Sequence, residues 1–449
     1  MAELCSVGLD VGTTSTQLIV SRLTVHNRSG AFAVPELEIK NREIQYRSPV
    51  HFTPLLEGNL VDGDKIRQLV EQEYKNAGIS RADVDTGAVI ITGETSRREN
   101  ARSVVSALSE LAGDFVVATA GPALESVLAA RGAGAVAWSE ETGKTVFHMD
   151  IGGGTANLSL IEKGRILCTD CLNVGGRLIK IRDGKISYVS PVLEGLCDLR
   201  AGDPAELPTL EKVAALLASA LEMAAGLREA TDLLPRLRTK ELGDCPGCIV
   251  RDAVISFSGG VADCIDTRQE PFAFGDIGPL LGQAIKNSAL CRGPYRLGTE
   301  TIRATVIGAG CHSAQLSGST VFLQNVTLPL KNCPVTAFAN EDLTVSAIRR
   351  KIAGQDAIPV VAFPGRNAPD YAFIRKLAAT LAQALPSPAL IAVEADMAKA
   401  LGQAIALLRP GGGILCIDRV HLEDGDYLDM GNPIGPALPV VVKTLILEK

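Results

Sequence analysis

The stretch HMDIGGGTANLSLIE (residues 148–162) decides the fold of this chain. Its pattern predicts a buried strand that ends at Asp150, a glycine turn, and a second strand over residues 157–161. A strand, a turn and a strand form a β-hairpin, and we expect the turn glycines to adopt positive φ and to let a ligand approach the backbone. Successive N–H groups in such a turn bind anions, and Asp150 is placed to ligate a divalent cation on a polyphosphate.

A second stretch near the N-terminus, VGLDVGTTSTQLIV (residues 7–20), repeats this design. Here Asp10 ends the first strand, Gly12 forms the turn, and Thr13 and Thr14 add hydroxyl donors. The two aspartates are 140 residues apart. Such a repeat indicates two related lobes, each with an acid and a phosphate-binding hairpin. The alternative is that both copies are ordinary tight turns.

Length and composition limit the classes of protein that remain. A chain of 449 residues should form two or more compact units, because single cores stop growing at about 250 to 300 residues. The formal net charge is −7, so no basic field indicates nucleic acid or an anionic membrane as a partner. Apolar runs are too short for a membrane span, and the N-terminus lacks a signal-peptide pattern, so we expect a cytoplasmic protein. The eleven cysteines are an odd number scattered over a long chain, which predicts reduced thiols.

Helical and strand patterns alternate between the two hairpins. A helix capped by Asp64 and ended by Gly78 is followed by a strand over residues 86–92, a helix over 99–112 and a strand over 115–119. This order predicts an α/β lobe with a mixed sheet.

Two helices rich in small residues are expected over residues 121–134 and 304–318. Small side chains allow close packing, so these helices are the predicted pivot between the lobes. Between them, Gly259 and Gly260 follow a buried strand and open a predicted helix, which leaves room for a flat ring or a phosphate.

We therefore predict three units: a first lobe over 1–140, a second lobe over 141–318, and an additional α/β unit over 319–449. The third unit alternates as β-α-β-α-β and continues into a turn-rich loop over 426–436. It carries no phosphate motif, which favours a packing or partner-binding role.

Taken in order over residues 5–318, these segments resemble the superfamily of actin, sugar kinases and heat-shock chaperone ATPases. The resemblance implies two ribonuclease H-like lobes that bind ATP and Mg²⁺ between them. Over the whole chain, further motifs resemble the ethanolamine ammonia-lyase reactivating proteins: IITGETSRREN (90–100), AGPALE (120–125), HMDIGGGTAN (148–157), FSGGVAD (257–263), GDIG (275–278) and PVVVKTL (439–445).

This second resemblance implies an ATP-dependent chaperone of ethanolamine catabolism. Such a chaperone acts on the large and small subunits of ethanolamine ammonia-lyase and releases damaged cobalamin, so that adenosylcobalamin can rebind. Cobalamin is then handled through the partner enzyme, slow ATP hydrolysis is expected, and no nucleic acid or membrane is involved. Association with a bacterial microcompartment stays open.

The resemblance also assigns roles where the motifs match. Asp10 and Asp150 would hold Mg²⁺ and its waters, and Gly259 and Gly260 would contact the nucleoside. The phosphates would be cradled by Gly12, Thr13, Thr14, Gly152, Gly153, Gly154 and Thr155. The chaperone ATPases have a glutamate directly before the proline of the first connecting segment, whereas this chain has Gly121. Glu125 and Glu94 are therefore the two candidates for the catalytic base.

Two CxxC pairs, at residues 168–171 and 245–248, have the spacing of zinc thiolates. The first pair is expected on a strand, where residues three apart point to opposite faces, so we do not expect a shared zinc site. The second pair is expected in a loop, as a redox or metal site or as a reduced turn. His148 and His312 are expected to be packed core histidines.

Three other functions remain as alternatives. A small-molecule kinase of the same fold needs an aspartate base aimed at a substrate hydroxyl, and no distinctive sequence for one is present. An iron–sulfur ATPase that drives electrons into a dehydratase would be brown when purified without oxygen. A filament protein would pellet in the presence of ATP.

Overall fold

The structure is a computed structural model. It describes the chain except for residues 1, 13–14, 28–36, 55, 57–60, 92–115, 120–121, 240–252, 313, 319, 354–356, 434–436 and 445–449. The predicted helix over 99–112 and the CxxC pair at 245–248 lie outside the described residues.

The first lobe is built on one mixed sheet. Its elements are β1 (Ala2–Val11), β2 (Ser15–Asn27), β3 (Leu37–Arg47), β4 (His51–Phe52), α1 (Gly63–Ala77), β5 (Thr86–Ile91) and β6 (Val116–Thr119). The strand order is β3-β2-β1-β5-β6, with β4 paired to β2. Strands β1, β2 and β3 are antiparallel, whereas β5 and β6 continue the sheet in parallel from β1. The mixed sheet predicted for this lobe is therefore confirmed.

Helix α1 ends where the sequence predicts, at Gly78 with φ 70°, but it begins earlier. Its N-cap is Asp62, whose Oδ1 accepts the Lys65 backbone N–H at 3.1 Å. The prediction of Asp64 as the cap is wrong. Both aspartates precede the apolar face, and Asp64 instead places its charge in the first turn, where the helix dipole favours it.

The second lobe has the same strand order as the first. Its sheet runs β13-β12-β7-β8-β9, where β7 to β9 are antiparallel and β12 and β13 are parallel to β7. The elements from the first connecting helix onward are α2 (Pro122–Gly132), α3 (Ala135–Thr142), β7 (Val146–Ile151), β8 (Ala156–Glu162), β9 (Arg165–Leu172), β10 (Ile179–Arg182), β11 (Lys185–Val189), α4 (Leu207–Ala224), α5 (Leu233–Leu237), β12 (Val254–Ser258), α6 (Asp263–Asp266), α7 (Gly278–Lys286), β13 (Tyr295–Leu297) and α8 (Ala304–His312).

The two faces of the second sheet differ in chemistry. Phe147, Met149 and Ile151 alternate along β7 and belong to the apolar core that includes residues of α4 and α7. His148 and Asp150 lie on the opposite face, which is the face that the connecting helix α2 approaches. The fully buried strand thus carries a polar row towards the region between the lobes.

The two small-residue helices pack against each other, and each contacts the sheet of a different lobe. Helix α2 contacts β8 and β9 of the second sheet, whereas α8 contacts β1 and β2 of the first. Two glycines make the crossing close: a Cβ at Gly132 would collide with the Ala304 carbonyl oxygen, and one at Gly308 with that of Leu128. Close packing of the two helices is therefore confirmed, and α8 ends at His312 because the chain enters the third sheet at Ala314.

The third sheet has eight strands in the order β14-β21-β20-β16-β17-β18-β19-β15. Its elements are β14 (Ala314–Leu316), β15 (Phe322–Gln324), β16 (Leu330–Ala337), α9 (Val345–Ile352), β17 (Val360–Phe363), α10 (Tyr371–Ala384), β18 (Ala389–Val393), α11 (Ala398–Leu408), β19 (Ile414–Asp418), β20 (Asp426–Met430) and β21 (Pro439–Thr444). The loop prediction is wrong for β20, which pairs with β16 and β21. Leu428 and Met430 are buried there, and the glycine and prolines that indicated a loop come only after the strand.

Asp418, at the end of β19, makes stability depend on pH. Burial and the neighbouring Asp396 carboxylate raise its pKa to about 6, whereas an unfolded aspartate titrates near 3.9. The folded state therefore binds this proton more tightly than the unfolded state does. The stabilisation that protonated Asp418 provides is lost as pH rises from about 4 through about 6, by about 3 kcal/mol. We expect Asp418→Asn to stabilise the protein more at pH 7 than at pH 4 in urea unfolding. An equal effect at both pH values would contradict this, and Asp198→Asn, at an exposed carboxyl, is the control.

Most of the described cysteines are free thiols: Cys5, Cys171, Cys197, Cys264, Cys291, Cys311, Cys333 and Cys416. Cys168 is disulfide-bonded, so the prediction of reduced thiols is wrong at this position. Within the described part of the chain, no helix is long and apolar enough to cross a membrane.

Candidate nucleotide site

Two equivalent hairpins carry the predicted aspartates. In the first, the Gly12 N–H donates to the Ser15 carbonyl at 2.9 Å, and in the second the Gly152 N–H donates to the Thr155 carbonyl at the same distance. Asp10 lies opposite Gln17 in the register of β1 and β2, and Asp150 lies opposite Asn157 in that of β7 and β8. Each lobe therefore presents one carboxylate and one carboxamide beside its turn.

The turn glycines of the second hairpin leave its backbone uncovered and do not adopt positive φ. Gly152, Gly153 and Gly154 have ordinary φ, so the prediction of left-handed backbone in this turn is wrong. A Cβ at Gly154 would meet nothing within 4 Å, so this position leaves open room beside the turn. The backbone of the second hairpin is thus open to an approaching group.

One segment, residues 301–306, joins both hairpins. The Gln17 side chain donates to the Ile302 carbonyl at 3.2 Å, and Thr305 hydrogen-bonds to Asp150. The Gly259 N–H donates to the Thr301 carbonyl at 3.1 Å. Because all three contacts fall within six residues, the two hairpins and the Gly259–Gly260 turn surround one place.

The Gly259–Gly260 turn lies directly against the second hairpin. Gly259 has φ 84°, and a Cβ there would collide with the Ile151 backbone, so this position requires glycine. Gly260 faces the Ile302 side chain with room for a Cβ. The predicted helix after these glycines is the single turn α6. The turn therefore forms one wall beside the second hairpin.

The environment of Asp150 raises the pKa of its carboxyl group. Its side chain is 7% exposed, and burial raises its pKa to about 6, although hydrogen bonds from Ser258 and Thr305 oppose this. A buried carboxylate is costly unless a positive charge compensates it. The environment of Asp150 therefore favours a bound cation.

His148 lies two residues before Asp150 on β7, on the same face, and continues the polar row. It is fully buried, its Nδ1 is 3.1 Å from the Ser256 hydroxyl, and its Nε2 is 3.0 Å from the Ser258 hydroxyl. Burial, with a smaller effect of the Arg296 charge, lowers the pKa of His148 to about 3. The ring is therefore neutral at physiological pH.

Glu125 reaches the second hairpin from α2. It is buried, and its Oε2 accepts the Asn157 side-chain N–H at 3.1 Å. The structure thus brings one of the two candidate bases to the strand that pairs with Asp150. The other candidate, Glu94, lies outside the described residues, as do Thr13 and Thr14.

Two buried oxygens test whether the site suits hydrated Mg²⁺. The side-chain oxygens of Gln17 and Asn157 accept no hydrogen bond from any described residue, although both side chains are at most 5% exposed. Such acceptors normally have a partner, and here they flank the two aspartates. Carboxylates, carboxamide oxygens and hydroxyls form the all-oxygen set that Mg²⁺ and its waters require, so the residues fit the ion.

A partly buried ion pair lies next to the second hairpin. The backbone N–H of Arg177 donates to the Gly153 carbonyl at 2.6 Å, and the Arg177 guanidinium pairs with the Asp276 carboxylate at 3.1 Å. Asp276 also accepts the Gly278 N–H at 2.8 Å. The GDIG motif at 275–278 therefore anchors the arginine that fixes the hairpin.

Sequence reasoning found the aspartates and the glycines but gave no role to Gln17, Asn157, Ser256, Ser258 or Thr305. One signal was available, because each carboxamide follows its aspartate by seven residues in both repeats. The two serines and the threonine gave no such signal, since their roles depend on strand register and on the position of α8.

Two lobes of one topology, each with an aspartate beside a hairpin and with crossed helices between them, define the actin-like ATPase fold class. Within this class, the chain belongs to the EutA family, because the family model described as "Ethanolamine utilisation protein EutA" matches residues 2–448.

Two curated relatives share the whole length of the chain. It is 39% identical to the ethanolamine ammonia-lyase reactivase EutA of Salmonella typhimurium, over 99% of this chain and 98% of the relative. It is 40% identical to the protein of the same name from Escherichia coli, with the same coverage. Among solved structures, the Aquifex aeolicus member of the Ppx/GppA family is similar with a TM-score of 0.43 and 13% identity, covering 68% of this chain and 97% of that one.

Proposed function

We propose that this chain is an ATP-dependent reactivating chaperone of ethanolamine ammonia-lyase. The observation that carries the proposal is the full-length match, at 39% and 40% identity, to two proteins named as reactivases of that enzyme. The partner would be the lyase with its large and small subunits. The chaperone would release damaged cobalamin from the lyase so that adenosylcobalamin can rebind.

The two hairpins support ATP as the ligand that drives this exchange. Gly12, Gly152, Gly153, Gly154 and Thr155 would cradle the phosphates with backbone N–H groups and a hydroxyl, together with Thr13 and Thr14, and Gly259 and Gly260 would contact the nucleoside. Asp10 and Asp150 would hold Mg²⁺ and its waters. When bound, Mg²⁺ would neutralise charge on the phosphates and polarise the transferred phosphoryl group.

The energies involved explain why a nucleotide is useful. A cofactor bound at nanomolar strength is held by about 12 kcal/mol. Converting a nearly closed partner into a nearly open one requires about 5.5 kcal/mol of differential binding. A chaperone that binds the open lyase can supply that difference, and ATP hydrolysis then lets it dissociate.

The test uses ethanolamine ammonia-lyase that holds an inert cobalamin in place of adenosylcobalamin. The chain, free adenosylcobalamin and Mg²⁺ are added with ATP, with ADP or without nucleotide, and lyase activity is followed. We expect activity to return only with ATP. The released inert cobalamin should appear in the filtrate over the same time course.

Two outcomes would count against the proposal. Recovery without any nucleotide would remove ATP from the function. No recovery, combined with phosphoryl transfer from ATP to a small molecule, would indicate a kinase of the same fold.

Glu125→Gln should separate nucleotide binding from hydrolysis. The glutamine keeps the shape and can still hydrogen-bond Asn157, but it cannot accept a proton from water. We therefore expect unchanged ATP affinity and about a hundredfold slower hydrolysis, as is usual for the loss of a general base. Single-turnover hydrolysis of bound ATP measures this directly.

The matched control is Glu73→Gln. Glu73 is equally buried in the first lobe, but it is bonded to Tyr46 and His51 and not to a hairpin. This variant should hydrolyse ATP at the parental rate. If Glu125→Gln does the same while Glu94→Gln is slow, the base is Glu94.

A further inference from the structure

Four polar side chains form a row inside the second sheet. Strands β7 and β12 are parallel, with His148 opposite Ser256 and Asp150 opposite Ser258. Residues two apart on a strand share a face, so all four lie on the same side. His148, Ser256 and Ser258 are fully buried, and Asp150 nearly so. The row is therefore isolated from solvent, and its hydrogen bonds must be made within it or with its neighbours.

The chemistry of these groups fixes the direction of every hydrogen bond. An ionised carboxylate only accepts, so the Ser258 hydroxyl donates its one proton to Asp150 Oδ1. Ser258 Oγ must then accept from His148, which places a proton on Nε2, at 3.0 Å. A neutral ring carries only one proton, so Nδ1 accepts the Ser256 hydroxyl at 3.1 Å. The chain of donors runs one way, from Ser256 through His148 and Ser258 to Asp150.

We propose that His148, Ser256 and Ser258 are positioning residues that hold the Asp150 carboxylate in one orientation for the cation of a bound nucleotide, with His148 as the Nε2–H tautomer. The inference rests on the proposed function, because it assigns Asp150 to that cation. A packed histidine would only fill space. Here both ring nitrogens are hydrogen-bonded, and the row of donors ends on the Asp150 carboxylate.

The first test reads the tautomer without any nucleotide. ¹⁵N-histidine labelling of the full chain gives signals from five histidines, and the His148→Leu spectrum assigns one of them. We expect a ring protonated at Nε2, because Ser258 donates its one proton to Asp150 and must accept from His148. A ring protonated only at Nδ1 would overturn the inference, whatever the protein does with ATP.

The second test asks whether the row acts on the cation. Ser258→Ala removes the donor at the Asp150 end of the row. We therefore expect about tenfold weaker apparent Mg²⁺ affinity in ATP binding, with little change in ATP affinity at saturating Mg²⁺. Ser258→Thr keeps the hydroxyl and should restore the parental Mg²⁺ dependence. His148→Gln, whose amide can still donate to Ser258, should lie between the parent and His148→Leu.

Ser159→Ala is the matched control. This hydroxyl is equally buried on the same sheet face, but it donates to the Ser126 carbonyl at 3.0 Å and does not touch Asp150. Melting temperatures show that each variant is folded. An unchanged Mg²⁺ dependence in a folded Ser258→Ala protein would overturn the inference. A parent that binds no ATP would instead refute the proposed function, while the tautomer result would still decide the geometry of the row.

Discussion

Asp150→Asn should lower the Mg²⁺-dependent affinity for ATP by about a thousandfold and prevent reactivation of the lyase. The asparagine is isosteric and can still accept from Ser258, but it has no charge to offer a cation. A thousandfold corresponds to about 4 kcal/mol. That is the size expected when one partner of a buried charge pair is removed. Calorimetric titration with ATP, with and without Mg²⁺, measures the difference.

The same substitution should not weaken the fold. Burial raises the pKa of Asp150 to about 6, so the ionised side chain is a cost to the folded protein at neutral pH before a cation binds. Removing that charge should leave the melting temperature unchanged or raise it. Opposite signs for stability and for binding are the mark of a residue kept for its chemistry.

Asp10→Asn should behave in the same way, because Asp10 occupies the equivalent place in the first hairpin. Asp62→Asn is the control for the loss of one negative charge in that lobe, since asparagine also caps helices well. If Asp150→Asn binds Mg²⁺ and ATP like the parent, the cation is held by other groups, and the pairing of the two hairpins as one site is wrong.

Local pattern was sufficient to predict much of this fold. Asp10 and Asp150 each end an apolar strand and precede a glycine turn, and that information lies within about fifteen residues of sequence. The repeat then implied two lobes. In the structure, the first lobe has the strand order β3-β2-β1-β5-β6 and the second lobe has the equivalent order. Helix α1 was also visible locally, because its apolar periodicity and the glycine that ends it mark it.

Features that depend on strand register could not be read from the sequence. His148 was correctly predicted to be packed, but its hydrogen bonds were not predicted, because the serines that bind it are 108 and 110 positions away along the chain. The turn glycines were expected to have positive φ, whereas those of the second hairpin have ordinary φ, and a Cβ at Gly154 would meet nothing within 4 Å. Strand β20 was predicted as a loop because glycines and prolines separate it from β21, while its other partner, β16, comes from a distant part of the chain.

Gly308 is one of the two glycines that allow the close crossing of α2 and α8. A Cβ there would collide with the Leu128 carbonyl oxygen of α2, and that is backbone, which cannot turn aside as a flexible side chain can. In an exposed helix, Gly→Ala gains about 1 kcal/mol. Overpacking costs about 1–3 kcal/mol and more when backbones must separate, so the clash decides the sign.

We therefore expect Gly308→Ala to destabilise the protein by about 2 kcal/mol and Gly308→Val by more, lowering the melting temperature by several degrees. Gly293→Ala is the control, because a Cβ there meets nothing within 4 Å and the residue has ordinary φ. It should melt like the parent. Since α8 begins beside Asp150 and packs on β1, the Gly308 variants should also lose ATP affinity, because pushing α8 away from α2 separates the two hairpins. A Gly308→Ala protein with parental stability and affinity would show that the helices can part without cost, and the crossing would then not set the distance between the lobes.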